Sequence, residues 1–252
     1  MPDKMSDFSY TIRNYQPADF DKFVQLRVET EKYEPSERLV PPQTIIENLE
    51  RPNYSPEQDL FVIEIAENFI GYMDLAPERT IGRVILTCWI HPEYRRKGLA
   101  TKLLDYSMHR ARELGARVIH VNIRADNVIA KNVLSKLGFI YVRRDFEMRL
   151  YMSRVRQKDL DRAASECRHL QPGEEGKLTQ IQNRSFAGSW GYSPNTVEII
   201  TYYLNLGSRS PEDVVLACEG DEVTGYCWTE VYGNQKEGRI LMIGTDPAYR
   251  GR

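Results

Sequence analysis

The residues best suited to chemistry lie between Thr87 and Thr101. There an apolar run from Val84 to Ile90 ends at His91-Pro92, and Arg95-Arg96-Lys97-Gly98 leads into a segment of helical period. A strand that turns through basic residues into a helix leaves several backbone N–H groups unpaired at the positive end of the helix dipole. An anion there is stabilised by about 0.3 to 2 kcal/mol, and the guest of matching size is a pyrophosphate. Asp74 and Glu230, each near the end of a predicted strand, are the candidates for accepting a proton, although such carboxylates are more often solvated edge charges. His91, His109, His120 and His169 have no metal-ligand spacing, and Cys88, Cys167, Cys218 and Cys227 form no Cys-x-x-Cys pair, so no metal is expected.

Predicted elements around this stretch give it a scaffold. Alternation from Phe8 to Tyr15 predicts a strand, and Gln16-Pro17-Ala18-Asp19 opens a helix with Phe20, Phe23, Val24 and Val28 as its buried stripe. A loop spans Pro35 to Pro42, and Thr44 caps a short helix carrying Ile45, Ile46 and Leu49. Strands Leu60 to Ala66 and Ile70 to Leu75 meet at Glu67-Asn68 and precede the strand Val84 to Ile90. The helix Leu99 to Leu114 keeps Leu99, Leu103, Leu104, Ser107, Met108, Ala111 and Leu114 on one face, with Gly115 as its stop. A strand Val118 to Ile123, a helix from Asn127 to Lys136, and strands Ile140 to Val142 and Phe146 to Met152 complete the pattern.

Arg95-Arg96-Lys97-Gly98-Leu99-Ala100, after Pro92-Glu93-Tyr94, resembles the acetyl-CoA loop of the GNAT N-acetyltransferase superfamily, Arg/Gln-x-x-Gly-x-Gly/Ala. Asn127-Val128-Ile129-Ala130 followed by a helix and Gly138-Phe139 resembles that family's second motif. The resemblance implies an α/β (α+β) GNAT fold, a mixed central sheet flanked by helices, covering residues 1–153. It implies acetyl-CoA as cosubstrate, held by Arg95, Arg96, Lys97, Gly98, Leu99, Ala100, Thr101 and Asn127, with main-chain contacts at Cys88, Trp89 and Ile90. The reaction implied is transfer of an acetyl group to a primary amine of a small molecule or peptide. A lysine-like amine, with a pKa of about 10.4, must first lose a proton. The predicted strand Val84 to Ile90 has no carboxylate where many relatives carry a glutamate, and the frequent general-acid tyrosine corresponds to Leu134. A thiol of pKa about 8.5 leaves without much help, so the reaction does not stand or fall with that tyrosine. A CoA-binding domain without turnover, supporting or regulating a catalytic second domain, is the alternative.

Beyond Ser153 the pattern starts again. Ile12-Arg13 to Ala18-Asp19 lines up with Cys167-Arg168 to Gly173-Glu174 at an offset of 155 residues, and Pro92-Glu93-Tyr94-Arg95 lines up with Pro247-Ala248-Tyr249-Arg250 at the same offset. Gly71-Tyr72 answers Gly225-Tyr226 with one residue of slippage. Residues 154–252 are therefore expected to be the N-terminal portion of a second GNAT copy, cut within its cofactor loop. The arrangement resembles the tandem mycothiol synthase family, in which the second domain is the active one and the first binds cofactor. An incomplete sheet ending at Arg239 to Gly244 would expose an edge open to self-association.

Composition sets the outer bounds. A chain of 252 residues with net charge -2, 41% hydrophobic and 28% charged residues, is a globular protein without the basic field that nucleic acid requires. No apolar run is long enough to span a membrane and no signal core is present at the start, so a cytoplasmic protein is expected.

Overall fold

The computed structural model describes residues 9–34, 42–155, 167–207, 209–232 and 237–251. Phe8, residues 35–41 of the expected loop, and Arg252 lie outside them. The chain divides into two compact units, Met1–Arg144 and Asp145–Arg252.

In the first unit β1 (Thr11–Asn14), β2 (Leu60–Ile65), β3 (Asn68–Glu78), β4 (Arg83–Ile90) and β5 (Val118–Val121) form one sheet in that order, antiparallel except for the parallel β4–β5 pair. Helices α1 (Phe20–Tyr33), α2 (Pro42–Leu49), α3 (Pro56–Asp59), α4 (Leu99–Glu113) and α5 (Val128–Lys136) complete it. Strand alternation sorts the core into two clusters. Ile63, Met73, Leu75, Val84 and Leu86 pack with Leu99, Leu103 and Ala111 of α4, whereas Leu60, Val62, Tyr72 and Trp89 pack with Phe23, Leu26 and Ile45 of α1 and α2. Each fully buried leucine contributes about 1.5–3 kcal/mol of transfer free energy, so both faces are strongly specified.

Two local devices tune this sheet. The two-residue hairpin turn falls one residue before the expected Glu67-Asn68: Ala66 (φ 46°) and Glu67 (φ 65°) form it with positive φ at both positions, the twist that matches the flanking strands. A bulge between Ile63 and Glu64 then resets the alternation, so that Phe69 and Tyr72, three residues apart, face the same cluster.

Three further expectations need correction. Val28 is 46% exposed, because the buried stripe of α1 centres on Phe23 and Leu26 and Val28 sits about 140° round the helix from Phe23. The short helix begins at Pro42, so Thr44 is inside it and not its cap. The strands expected at Ile140 to Val142 and Phe146 to Met152 are not formed: residues 139–151 carry no regular structure, and Met148 is 92% exposed. Alternation supplies an apolar face but no ladder, and β5 is four residues long and paired with β4 alone.

In the second unit β6 (Cys167–His169), β7 (Val214–Glu219), β8 (Glu222–Tyr232) and β9 (Glu237–Thr245) form an antiparallel sheet in that order, with helices α6 (Glu175–Phe186) and α7 (Val197–Leu204). Leu178, Ile181, Ile200, Leu204, Leu216 and Trp228 make its core. Among the described residues no helix is long and apolar enough to cross a membrane, and no group of three or more His, Cys, Asp or Glu is placed to hold a metal ion.

Candidate active site

The site grows from an inequality in the ladders of β4. With β3 it pairs along its whole length, from Glu78↔Arg83 to Gly71↔Ile90, but with β5 only from Arg83↔Val118 to Leu86↔Val121. Among the described residues no strand pairs with the second half of β4 on that side, and this unpaired edge at Thr87–Ile90 is a gap in the ladder. The Trp89 carbonyl is turned towards β3, 2.8 Å from where a Cβ on Gly71 would stand. Antiparallel alternation therefore turns the main-chain groups of Cys88 and Ile90 towards the gap. Of the three residues assigned main-chain contacts, Cys88 faces the gap, Ile90 faces it with its N–H while its carbonyl accepts from Arg95 Nε at 2.8 Å, and Trp89 faces β3. The Cys88 side chain packs on the α4 side, where burial pushes its thiol up to about 12.

Beyond Ile90 the chain makes a 3-10 turn, Pro92–Tyr94. His91 opens it: its N–H donates to the Ile70 carbonyl at 2.8 Å, and its Nδ1 accepts from the Glu93 N–H at 3.3 Å. Arg96 (φ 64°) and Gly98 (φ 74°) then take left-handed conformations, curling the backbone into a concavity that suits an anion. Gly98 is the N-cap of α4, and the first helical bond runs from the Lys102 N–H to the Gly98 carbonyl at 3.1 Å. The N–H groups of Leu99, Ala100 and Thr101 thus precede the helical ladder. A Cβ at Gly98 would meet nothing within 4 Å, so the cradle is open, while Leu99 and Leu103 (2% and 0% exposed) pin the helix behind it. An open concavity backed by a fixed helix N-terminus fits the pyrophosphate of a CoA thioester.

Asn127 stands elsewhere, at the N-cap of α5. Its Oδ1 accepts from the Ala130 N–H at 2.9 Å, so the Asn-x-x-Ala spacing is the distance from an N-cap to the third helical residue. At the other end Phe139 N–H donates to Leu134 O at 3.0 Å and Gly138 N–H to Ser135 O at 3.1 Å, with Gly138 at φ 86°. That is a complete Schellman stop. The second motif is thus a helix with both ends capped, and the Asn127 side-chain carbonyl is spent on one of those caps.

The two carboxylates belong to different units, each held by its own arginine. Asp74 lies opposite Thr87 in the β3–β4 register, where the gap begins, and Arg51 Nη2 donates to its Oδ1 at 2.9 Å. The Arg51 guanidinium also lies 3.4 Å from the centre of the Tyr54 ring. The Tyr54 hydroxyl is buried, and burial together with the Asp74 charge pushes its pKa up. Glu230 receives Arg209 Nε at 3.1 Å. His120 is half-buried beside Arg83, and burial and that charge lower its pKa. Arg51 and Tyr54 were invisible to sequence reading, because nothing in a loop following α2 marks a residue that reaches β3.

A mixed sheet whose fifth strand pairs with only the first half of the fourth, and a basic turn entering a helix beside the unpaired half, is the architecture of a GNAT acetyltransferase. The first unit of this chain carries a GNAT acetyltransferase domain, and residues 23–139 match the Acetyltransferase (GNAT) family model. More narrowly, the chain is similar to the mycothiol acetyltransferases of Mycolicibacterium smegmatis (strain ATCC 700084 / mc(2)155), 24% identical over 74% of this chain and 62% of that protein, and of Mycobacterium sp. (strain MCS), 23% identical over 73% and 60%. It spans about 60% of the length of these curated relatives. Its fold is similar to the crystal structure of a GCN5-related N-acetyltransferase from Sphaerobacter thermophilus, with a TM-score of 0.66, 18% identity, and coverage of 96% of this chain and 78% of that one.

Proposed function

We propose that this chain belongs to an acetyl-CoA-dependent N-acetyltransferase acting on a primary amine of a small molecule or peptide. The observation that carries the reading is the Gly98 cradle, open and backed by α4, standing beside the unpaired half of β4. Arg96, Lys97 and the N–H groups of Gly98, Leu99, Ala100 and Thr101 would hold the pyrophosphate, and the main chain at Cys88 and Ile90 would align the pantetheine and the acyl carbonyl. Bound acetyl-CoA supplies a thioester carbonyl as the electrophile. Around it the Cys88 and Ile90 main chain would orient the carbonyl, and Asp74, across β4 from the gap at the level of Thr87, would take the proton from the incoming amine.

We also propose that the second unit repeats the first part of the same fold. The Ile70 carbonyl accepts from His91 N–H at 2.8 Å, and the Thr224 carbonyl accepts from Asp246 N–H at 2.8 Å; both acceptors sit at a strand bulge. The name of the relatives makes a mycothiol-related amine the first acceptor to test.

Isothermal titration with acetyl-CoA should show one site per chain, and absence of binding would sink the reading. One observation favours the runner-up, a CoA-binding domain without turnover: Asp74 Oδ1 is already engaged by Arg51 Nη2 at 2.9 Å. Release of free thiol across a broad amine panel decides between the two.

A further inference from the structure

Arg95 opens the basic turn, yet its guanidinium is spent on protein acceptors. Nε donates to the Ile90 carbonyl at 2.8 Å and Nη2 to Glu34 Oε1 at 2.5 Å, so the side chain runs from the gap-facing end of β4 to the residue that closes α1. In the second unit Arg250 Nε donates to the Thr245 carbonyl at 3.3 Å, and Nη2 to the Ser185 carbonyl at 2.6 Å in the last turn of α6. One unit uses a carboxylate and the other a backbone carbonyl. Both arginines arrive at the C-terminal end of the helix that follows the first strand, where the dipole is negative and a guanidinium is stabilised.

We propose that Arg95 is a positioning residue that straps the C-terminal end of α1 to the cofactor turn, so that filling the turn orders the end of α1, while phosphate contact falls to Arg96 and Lys97. This rests on reading the turn as the CoA site. Gly98, the N-cap of α4, lies three positions after Arg95. An anion that draws in the N–H groups of Leu99 to Thr101 settles the Arg95 backbone, and two directional bonds pass that restraint to Ile90 and Glu34. The coupling is reciprocal: loosening the end of α1 weakens cofactor binding by the same factor.

Amide hydrogen exchange on the intact chain, with and without CoA, tests the strap in Arg95→Gln and Glu34→Gln variants. Without ligand, both variants should speed exchange in residues 27–34 by about fivefold and leave residues 60–65 unchanged. Equal exchange in the variants and the unmodified chain overturns the strap. With CoA, residues 27–34 should gain protection that both variants lose, and both should weaken CoA binding by a similar factor that does not multiply in the double variant. If Arg95→Gln instead flattens the salt dependence of CoA binding while Glu34→Gln leaves affinity unchanged, Arg95 is a phosphate ligand and the proposal is overturned. An unmodified chain that binds no CoA overturns the cofactor reading and the coupling together, and the ligand-free comparison still decides whether the strap exists.

Discussion

Arg13 and Asp19 meet in a two-armed ion pair, Nη1 to Oδ2 at 2.6 Å and Nη2 to Oδ1 at 2.9 Å, and 155 residues later Arg168 and Glu174 make the same pair at 2.6 and 2.9 Å. In each case the carboxylate also accepts a backbone N–H, from Gln16 at 2.8 Å and from Gln171 at 3.0 Å. The pair joins the end of a first strand to the start of the helix behind it. Paired, hydrogen-bonded carboxylates of this kind hold a chain reversal more firmly than an exposed surface pair would.

The second of these pairs makes stability depend on acid. Arg168 and Lys177 hold the Glu174 carboxyl at about 2, below its ordinary 4.5, so the folded state binds fewer protons than the unfolded one. Its contribution is complete above pH 4.5 and is lost as pH falls from there towards 2. Chemical denaturation, followed by hydrogen exchange in α6, should show that slope in the unmodified chain and a flatter one in Glu174→Gln. An unchanged slope would count against the pair.

Gly98→Glu should abolish CoA binding. Among the described residues no atom lies within 4 Å of a Cβ at Gly98, so the effect comes from a negative group placed in an anion cradle. Gly98→Ala pays only for its positive φ, about 1 kcal/mol, and should keep measurable binding by titration.

Glycines on the third strand of each unit differ in how tightly they are enclosed. A Cβ on Gly71 would stand 2.8 Å from the Trp89 carbonyl, and one on Gly225 would stand 3.1 Å from the Gly244 carbonyl. Gly71→Ala should therefore cost about 1–3 kcal/mol and Gly225→Ala less, read as a lower denaturant midpoint at unchanged slope. The reverse order would refute the register.

Turnover, where found, should fall in Asp74→Asn and survive in Glu230→Gln, because only Asp74 lies opposite the start of the gap in the first unit. Thiol release that follows Glu230 instead would move the chemistry to the second unit.

β9 pairs with β8 alone among the described residues, and Ile240 and Ile243 on it are 57% and 61% exposed. Such an edge favours pairing with a second copy. Sedimentation should show association rising with concentration, and a clean monomer at high concentration would reject it.

What the sequence determined alone is local. The turn after β4, the face of α4, the hairpin after Ile65 and the capped helix from Asn127 to Phe139 are each set by residues within a turn or two of one another, where spacing is geometry. Even there the meaning of Asn127 changed, since a motif shows which residues recur and not that one of them spends its carbonyl on a helix cap. Tertiary structure decided the rest. Which main-chain groups face the gap depends on β5 pairing only as far as Leu86, and Arg51–Asp74 and Arg95–Glu34 join residues 23 and 61 positions apart. The alternating run from Phe146 to Met152 shows the same limit from the other side: a strand needs a partner's ladder as well as a pattern, and the pattern carries no information about whether that ladder is free.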